Sequence, residues 1–253
     1  MNKLVLLRSG HNTWDTEHRY IGWTDVDLSP RGVEQARQAG EYLKNAGYQF
    51  DLAFTSMLTR AINTLWIVQD VLHNKWIPVE KDWRLNPRHW GALQGLNKTE
   101  IREHYSAERV YQWRRSLSAE PPELSLTDPR HPRSDSRYEG IKPDVLPASE
   151  SIYTQALRVS KYWQYAIAPW ISEGKKVLIV AHDSTLKALI KHLENLHEED
   201  IPNLYIPPGI PLVYEFDNDL NVVTNYYAAE LDNVEADCTS ELEHSTLYYK
   251  EAI

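Results

Sequence analysis

Two apolar runs in this chain each deliver a cluster of reactive polar residues. Leu4-Val5-Leu6-Leu7 runs into Arg8-Ser9-Gly10-His11, and Val177-Leu178-Ile179-Val180-Ala181 runs into His182-Asp183-Ser184. Short continuous apolar runs read as parallel strands buried on both faces. Ligands of parallel sheets bind beyond the carboxyl ends of the strands, which nominates Arg8, Ser9 and His182 as neighbours in one site. A guanidinium there suits phosphate or carboxylate, because its planar fork of donors matches both. Ser9 with His182 or His11 as base and Asp183 as orienter would make an acyl-transfer triad. Against that, no G-x-S-x-G elbow surrounds Ser9, and Asp183 adjoins His182 in sequence, an awkward place from which to orient its ring. Arg114-Arg115, after Gln112-Trp113, reads either as an exposed basic turn or as an anion clamp.

The elements that would carry these residues alternate. After the first strand, Ser29 caps a helix, Pro30 fills its first turn and Gly47 ends it, with Val33, Ala36, Ala39-Gly40 and Leu43 as the inner stripe. Asp51 to Thr55 reads as a strand, residues 57–73 as a helix, and Ile77-Pro78-Val79 as a short or edge strand, since Pro78 cannot donate to a ladder. Residues 86–147 break the rhythm with prolines, charges and aromatics, and show helical patterns only around 99–105 and 108–117. They read as an insertion over the sheet. A long helix over 149–173 follows, then the strand ending at His182, a helix over 184–196, and a terminal strand pair, Leu212–Phe216 with Val222–Tyr227. This alternation predicts an α/β fold of three layers, α/β/α, around a mainly parallel sheet. One domain over 1–228 and an acidic tail over 229–253 are expected.

With 253 residues and a formal charge of −9, the chain lacks the basic face a nucleic-acid partner requires. A few convergent arginines could still hold a small anionic metabolite. Cys238 is the only cysteine, so no internal disulfide forms. The apolar stretch Leu4–Leu7 is too short for a signal segment or a membrane span, so a cytoplasmic location without membrane contact is expected. The histidines show no metal-ligand spacing, and neither metal nor cofactor is expected.

Several longer strings are more specific. Gly22-Trp23-Thr24-Asp25-Val26-Asp27-Leu28-Ser29, Arg60-Ala61 with Thr64-Leu65-Trp66, Gly91-Ala92-Leu93-Gln94-Gly95-Leu96-Asn97-Lys98, and Ile210-Pro211-Leu212-Val213-Tyr214-Glu215-Phe216 resemble the cofactor-dependent phosphoglycerate mutases of the histidine phosphatase superfamily, over about residues 3–228. The resemblance implies the mutase fold, a homodimer and a phosphohistidine mechanism. It places the nucleophilic histidine at Ser9 and an acid–base glutamate at Pro87. Arg8, Arg60 and His182 would hold the transferring phosphoryl group; Arg114, Arg115 and Lys98 would clamp the substrate's carboxylate and second phosphate. Asn12, Gly22 and Trp90 would also meet ligand, Trp90 narrowing the pocket by its bulk. His11, Asp15, Ile21, Asp183 and Ser184 depart from the family pattern, and the two aspartates would bring negative charge towards a bound phosphoryl group.

A serine hydroxyl is a weak nucleophile without a base, and proline has no ionisable group. On these grounds the sequence is expected to encode a degenerate mutase without mutase or phosphatase activity by the phosphohistidine route, binding a small anion or a protein partner through its cationic pocket. Two alternatives stay open: a rebuilt site based on Ser9 or His182 and acting on another anionic small molecule, or retained phosphoglycerate mutase activity.

Overall fold

The computed structural model describes residues 2–229. Its strands are β1 (Asn2–Arg8), β2 (Leu52–Thr55), β3 (Val79–Lys81), β4 (Val177–Ala181), β5 (Leu212–Phe216) and β6 (Val222–Tyr227). Its helices are α1 (Pro30–Asn45), α2 (Thr59–Val71), α3 (Lys98–His104), α4 (Ala107–Arg115), α5 (Ile152–Tyr162), α6 (Ala168–Ser172) and α7 (Asp183–Glu194). The acidic tail expected over 229–253 lies, from residue 230 onward, outside the described residues.

The strands form one six-stranded sheet in the order β3-β2-β4-β1-β5-β6. β1, β2, β3 and β4 run parallel, and β5 and β6 add an antiparallel edge. Side chains alternate across a strand, and β1 supplies apolar groups to both faces. Leu4 and Leu6 pack with residues of α5, α6 and α7, while Val5 and Leu7 pack with Ala39 and Leu43 of α1 and Leu65 and Val68 of α2. The three expected layers follow from that division.

Local chemistry sets the helix ends. The Ser29 side chain accepts the Gly32 N–H and Pro30 opens α1, as an N-cap with proline in the first turn requires. The inner stripe of α1 is Gly32, Ala36, Ala39, Gly40 and Leu43; Val33, expected there, is instead 36% exposed. The expected long helix over 149–173 is present, helical without interruption from residue 152 to 172, with one irregularity inside it. After α5 comes a π turn, Trp163–Ile167, and only then α6. Pro169 has no N–H for the carbonyl four residues back, and the wider turn absorbs that missing bond. The third strand also falls slightly later than expected, with Pro78 before it accepting the Ala53 N–H through its carbonyl. Among the described residues no helix is long and apolar enough to cross a membrane.

Candidate active site

The two strand ends meet. The Ser9 N–H donates to the Ala181 carbonyl at 2.8 Å, so Ser9 lies beside the residue that precedes His182. The next N–H, of Gly10, donates to Thr64 Oγ1 (3.2 Å), and the Thr64 hydroxyl donates to the Arg60 carbonyl (2.7 Å). Ser9 is thereby tied to the first turn of α2. Gly10 and Gly32 let backbone lie on backbone here: a Cβ on Gly10 would stand 2.4 Å from the Gly32 carbonyl oxygen.

Two guanidiniums and a neutral imidazole surround that junction. Arg60 is buried, donating to the Thr24 carbonyl from Nη1 and the Gly22 carbonyl from Nη2, both at 2.9 Å. Burial lowers its pKa to about 10 against the pull of Asp25 and Asp15, so it stays cationic at neutral pH. Arg8 donates from Nη1 to the Ile206 carbonyl (2.8 Å). His182 is buried with Nε2 2.7 Å from Ser56 Oγ, an oxygen that also accepts the Leu58 N–H. Burial, then Arg60, Arg158 and Arg8, hold its pKa well below the usual histidine value. The ring is therefore neutral under ordinary conditions.

The polar departures mostly have partners of their own. Asp183 lies 3.3 Å from Arg8 Nη1 and 2.9 Å from Lys187 Nζ. Burial pushes its carboxyl up, but Lys187 and Arg8 outweigh that and the net shift is downward. The triad considered from sequence is not assembled, because His182 pairs with Ser56 and Asp183 with the two cations. His11 joins the cap of α1, its Nδ1 2.8 Å from Ser29 Oγ and its N–H donating to Gln35 Oε1. Asp15 Oδ2 accepts the Asn12 N–H at 2.9 Å and lies 3.9 Å from His11 Nε2. Asn12 is buried and accepts the Trp14 N–H through its side chain.

Pro87 is held at the same end of the sheet by the first turn of α7. Ser184 Oγ accepts the Arg88 N–H (3.0 Å), and the Thr185 hydroxyl reaches the Leu85 and Asn86 carbonyls. The Pro87 carbonyl accepts from Trp23 Nε1 at 2.7 Å. Arg158 contributes a fork to the same segment, donating to the Arg84, Asn86 and Pro87 carbonyls while pairing with Glu150 at 2.7 Å. The Arg88 side chain is committed to backbone, donating to the Glu150, Trp113 and Ala119 carbonyls. Ser56, Thr64 and the Arg158–Glu150 pair were absent from the sequence-based site. Ser56 was findable, since it follows β2 just as Ser9 follows β1.

A strip from His18 to Thr24 joins this centre to the insertion. The Tyr20 N–H donates to the Leu96 carbonyl (3.0 Å) and the Lys98 N–H to the His18 carbonyl (2.8 Å). Ile21 accepts the Thr24 N–H through its carbonyl. Gly22, with φ +53°, gives its carbonyl to Arg60. Trp90 packs on Tyr20, with centroids 4.9 Å apart, under the Arg88 guanidinium. Arg114 and Arg115 occupy the last turn of α4, where cations also complement the helix dipole; Arg115 donates to Asn203 Oδ1 at 3.2 Å. No group of three or more metal-ligating side chains occurs among the described residues. The arrangement gathers the cations Arg8 and Arg60 at the strand ends where Ser9 lies, a set of donors suited to an anion.

Residues 4–133 match the histidine phosphatase superfamily (branch 1). Over 227 residues the chain is 54% identical to a 2,3-bisphosphoglycerate-dependent phosphoglycerate mutase of Nitrosococcus oceani, covering 90% of this chain and 95% of that protein. The chain belongs to the histidine phosphatase superfamily. Among solved members of this fold, a mycobacterial glucosyl-3-phosphoglycerate phosphatase is 24% identical with a TM-score of 0.62, covering 85% of this chain and 93% of its own. The α-ribazole phosphatase of Shigella flexneri is 20% identical with a TM-score of 0.69, covering 90% and 96%. At those identities the likeness shows the fold alone. The expectation of a superfamily member without enzymatic activity is overturned by the similarity to the Nitrosococcus oceani mutase. That similarity favours the retained-activity alternative.

Proposed function

We propose that this protein is a phosphoglycerate mutase that uses Ser9 where the family resemblance implies a histidine. The observation that carries this reading is the 54% identity to a named mutase over 90% of the chain. The donor set agrees with it. A bisphosphoglycerate has two phosphates and a carboxylate, and when bound it supplies a phosphoryl group. Arg8 and Arg60 fit one phosphate; Arg114, Arg115 and Lys98 fit the other phosphate and the carboxylate.

Ser9 then has to accept a phosphoryl group and return it. Its hydroxyl proton must leave, and Pro87 has no group to take it. His182 is neutral and can. In the tautomer whose Nε2–H donates to Ser56, Nδ1 takes the proton from Ser9 as Oγ bonds to phosphorus and passes it to the substrate oxygen whose bond to phosphorus breaks. In the return step the accepting hydroxyl gives its proton to Nδ1, which hands it to the departing Ser9 oxygen. A phosphoserine is a stabler ester than a phosphohistidine, so turnover is expected to be slower than a histidine would give. The cations neutralise charge on the transferring group and fix its orientation, which is where most phosphoryl-transfer catalysis lies.

The test is interconversion of 2- and 3-phosphoglycerate primed with 2,3-bisphosphoglycerate, run beside Ser9→Ala. Turnover by the parent and its loss in the variant support the reading. Equal turnover in both rejects Ser9 as the carrier, and a blank parent rejects mutase activity.

A further inference from the structure

Tyr20 carries an oxygen that the fold does not use. The residue is 2% exposed, and its hydroxyl is a buried polar group with no hydrogen-bond partner among the described residues. The ring itself is accounted for. It packs on Trp90 and within a cluster of Leu93, Ile101, Val110 and Trp113, contacts that a phenylalanine ring would make equally well. Only the oxygen lacks a structural role, and an unpaired buried hydroxyl costs free energy that phenylalanine would avoid.

Its surroundings indicate what it could pair with. Burial pushes the phenol pKa up, and Arg114, Arg102 and Arg88 pull against that, so the group remains a protonated donor beneath a positive field. Guanidiniums have donors only and cannot accept its hydrogen bond. Arg88 is spent on three carbonyls. An anion complements a donor hydroxyl set among guanidiniums, because it accepts from the phenol and from an arginine at once. Tyr20 also stands on the strip whose residues Gly22 and Thr24 hold Arg60, two positions from the phosphoryl end of the site.

We propose that the Tyr20 hydroxyl is a specificity-determining contact, donating a hydrogen bond to the carboxylate of a phosphoglycerate held by Arg114. This rests on the phosphoglycerate reading above and adds a residue to it. A substrate phosphate without the carboxylate would gain nothing from Tyr20.

The test is Tyr20→Phe, compared with the parent by calorimetric titration with 3-phosphoglycerate and with inorganic phosphate, alongside thermal unfolding without ligand. The expected result is 3-phosphoglycerate binding weaker by roughly ten-fold or more, phosphate binding unchanged, and a Tm equal to or above the parent's. Unchanged 3-phosphoglycerate affinity overturns the contact and leaves the wider reading intact. So does a lowered Tm with both affinities reduced alike, which would make the hydroxyl structural. A parent that takes up phosphate but no 3-phosphoglycerate overturns the phosphoglycerate reading and this contact with it.

Discussion

Asp183 Oδ1 lies 3.3 Å from Arg8 Nη1, so a carboxylate already shares one of the two cations at the strand ends. An incoming phosphate has to compete with it. Asp183→Asn keeps the shape and removes the charge. Phosphate affinity measured by titration calorimetry should rise by about ten-fold. Stability should fall by less than about 1 kcal/mol, because the Asp183 side chain is about a third exposed (34%) and solvent screens the pair. Weaker phosphate binding in the variant would mean that Asp183 supports the site instead of competing for it.

The pH dependence of stability follows from two histidines that fold neutral. His89 is lowered to about 3 by burial, then by His131, Arg158 and Arg130, and His182 lies well below its usual value. Unfolded histidine titrates near 6.5. As pH falls below that value, the unfolded chain binds protons that the folded chain refuses, so stability is lost on the acid side of neutrality. Each histidine contributes about 1.4 kcal/mol per pH unit in that window. Urea unfolding at pH 7.5 and 5.5 should show a lower free energy at pH 5.5, by about 3 kcal/mol. A flat profile would show that the rings protonate freely in the fold.

Arg158 and Glu150 form a nearly buried pair, with side-chain exposures of 8% and 5%, and the same guanidinium serves the carbonyls around Pro87. Arg158→Met would strand Glu150 and those carbonyls together, at a cost of about 3–5 kcal/mol in denaturant unfolding. Adding Glu150→Gln should recover part of that loss. If the double variant is no more stable than Arg158→Met, the unpaired carboxylate is not the source of the cost.

Legibility from sequence differed by kind of residue. Residues that end a buried strand declared themselves: the apolar runs before Arg8 and His182 located both halves of the centre, and the structure sets them side by side. The six-stranded sheet was legible through the same runs. The π turn after Tyr162 was not, since it answers the N–H that Pro169 lacks and leaves the helical spacing of side chains on either side intact. Arg158 and Glu150 were missed because their importance comes from pairing across the insertion, which no local spacing encodes. The expectation of an inactive protein failed for a different reason. Ser9 and Pro87 are two positions, whereas the similarity to a named mutase extends through most of the chain.

Gly22 offers a local test of how tightly the strip is built. Its φ is +53°, and a Cβ there would lie 2.2 Å from Gln94 Oε1, the atom that accepts the Trp23 N–H. Gly22→Ala should cost about 1–3 kcal/mol and weaken phosphate binding through the displaced carbonyl that holds Arg60. Calorimetric melting with and without phosphate reads both effects. A variant as stable as the parent would contradict the tight packing described for this turn.

The central claim is phosphoryl transfer through Ser9, and the most direct measurement is intact-protein and peptide mass after incubation with 2,3-bisphosphoglycerate. One added phosphoryl group is predicted on the peptide containing Ser9. It should be discharged by added phosphoglycerate and absent from Ser9→Ala. A protein that interconverts phosphoglycerates while Ser9 stays unmodified, or that carries the group elsewhere, would contradict the account.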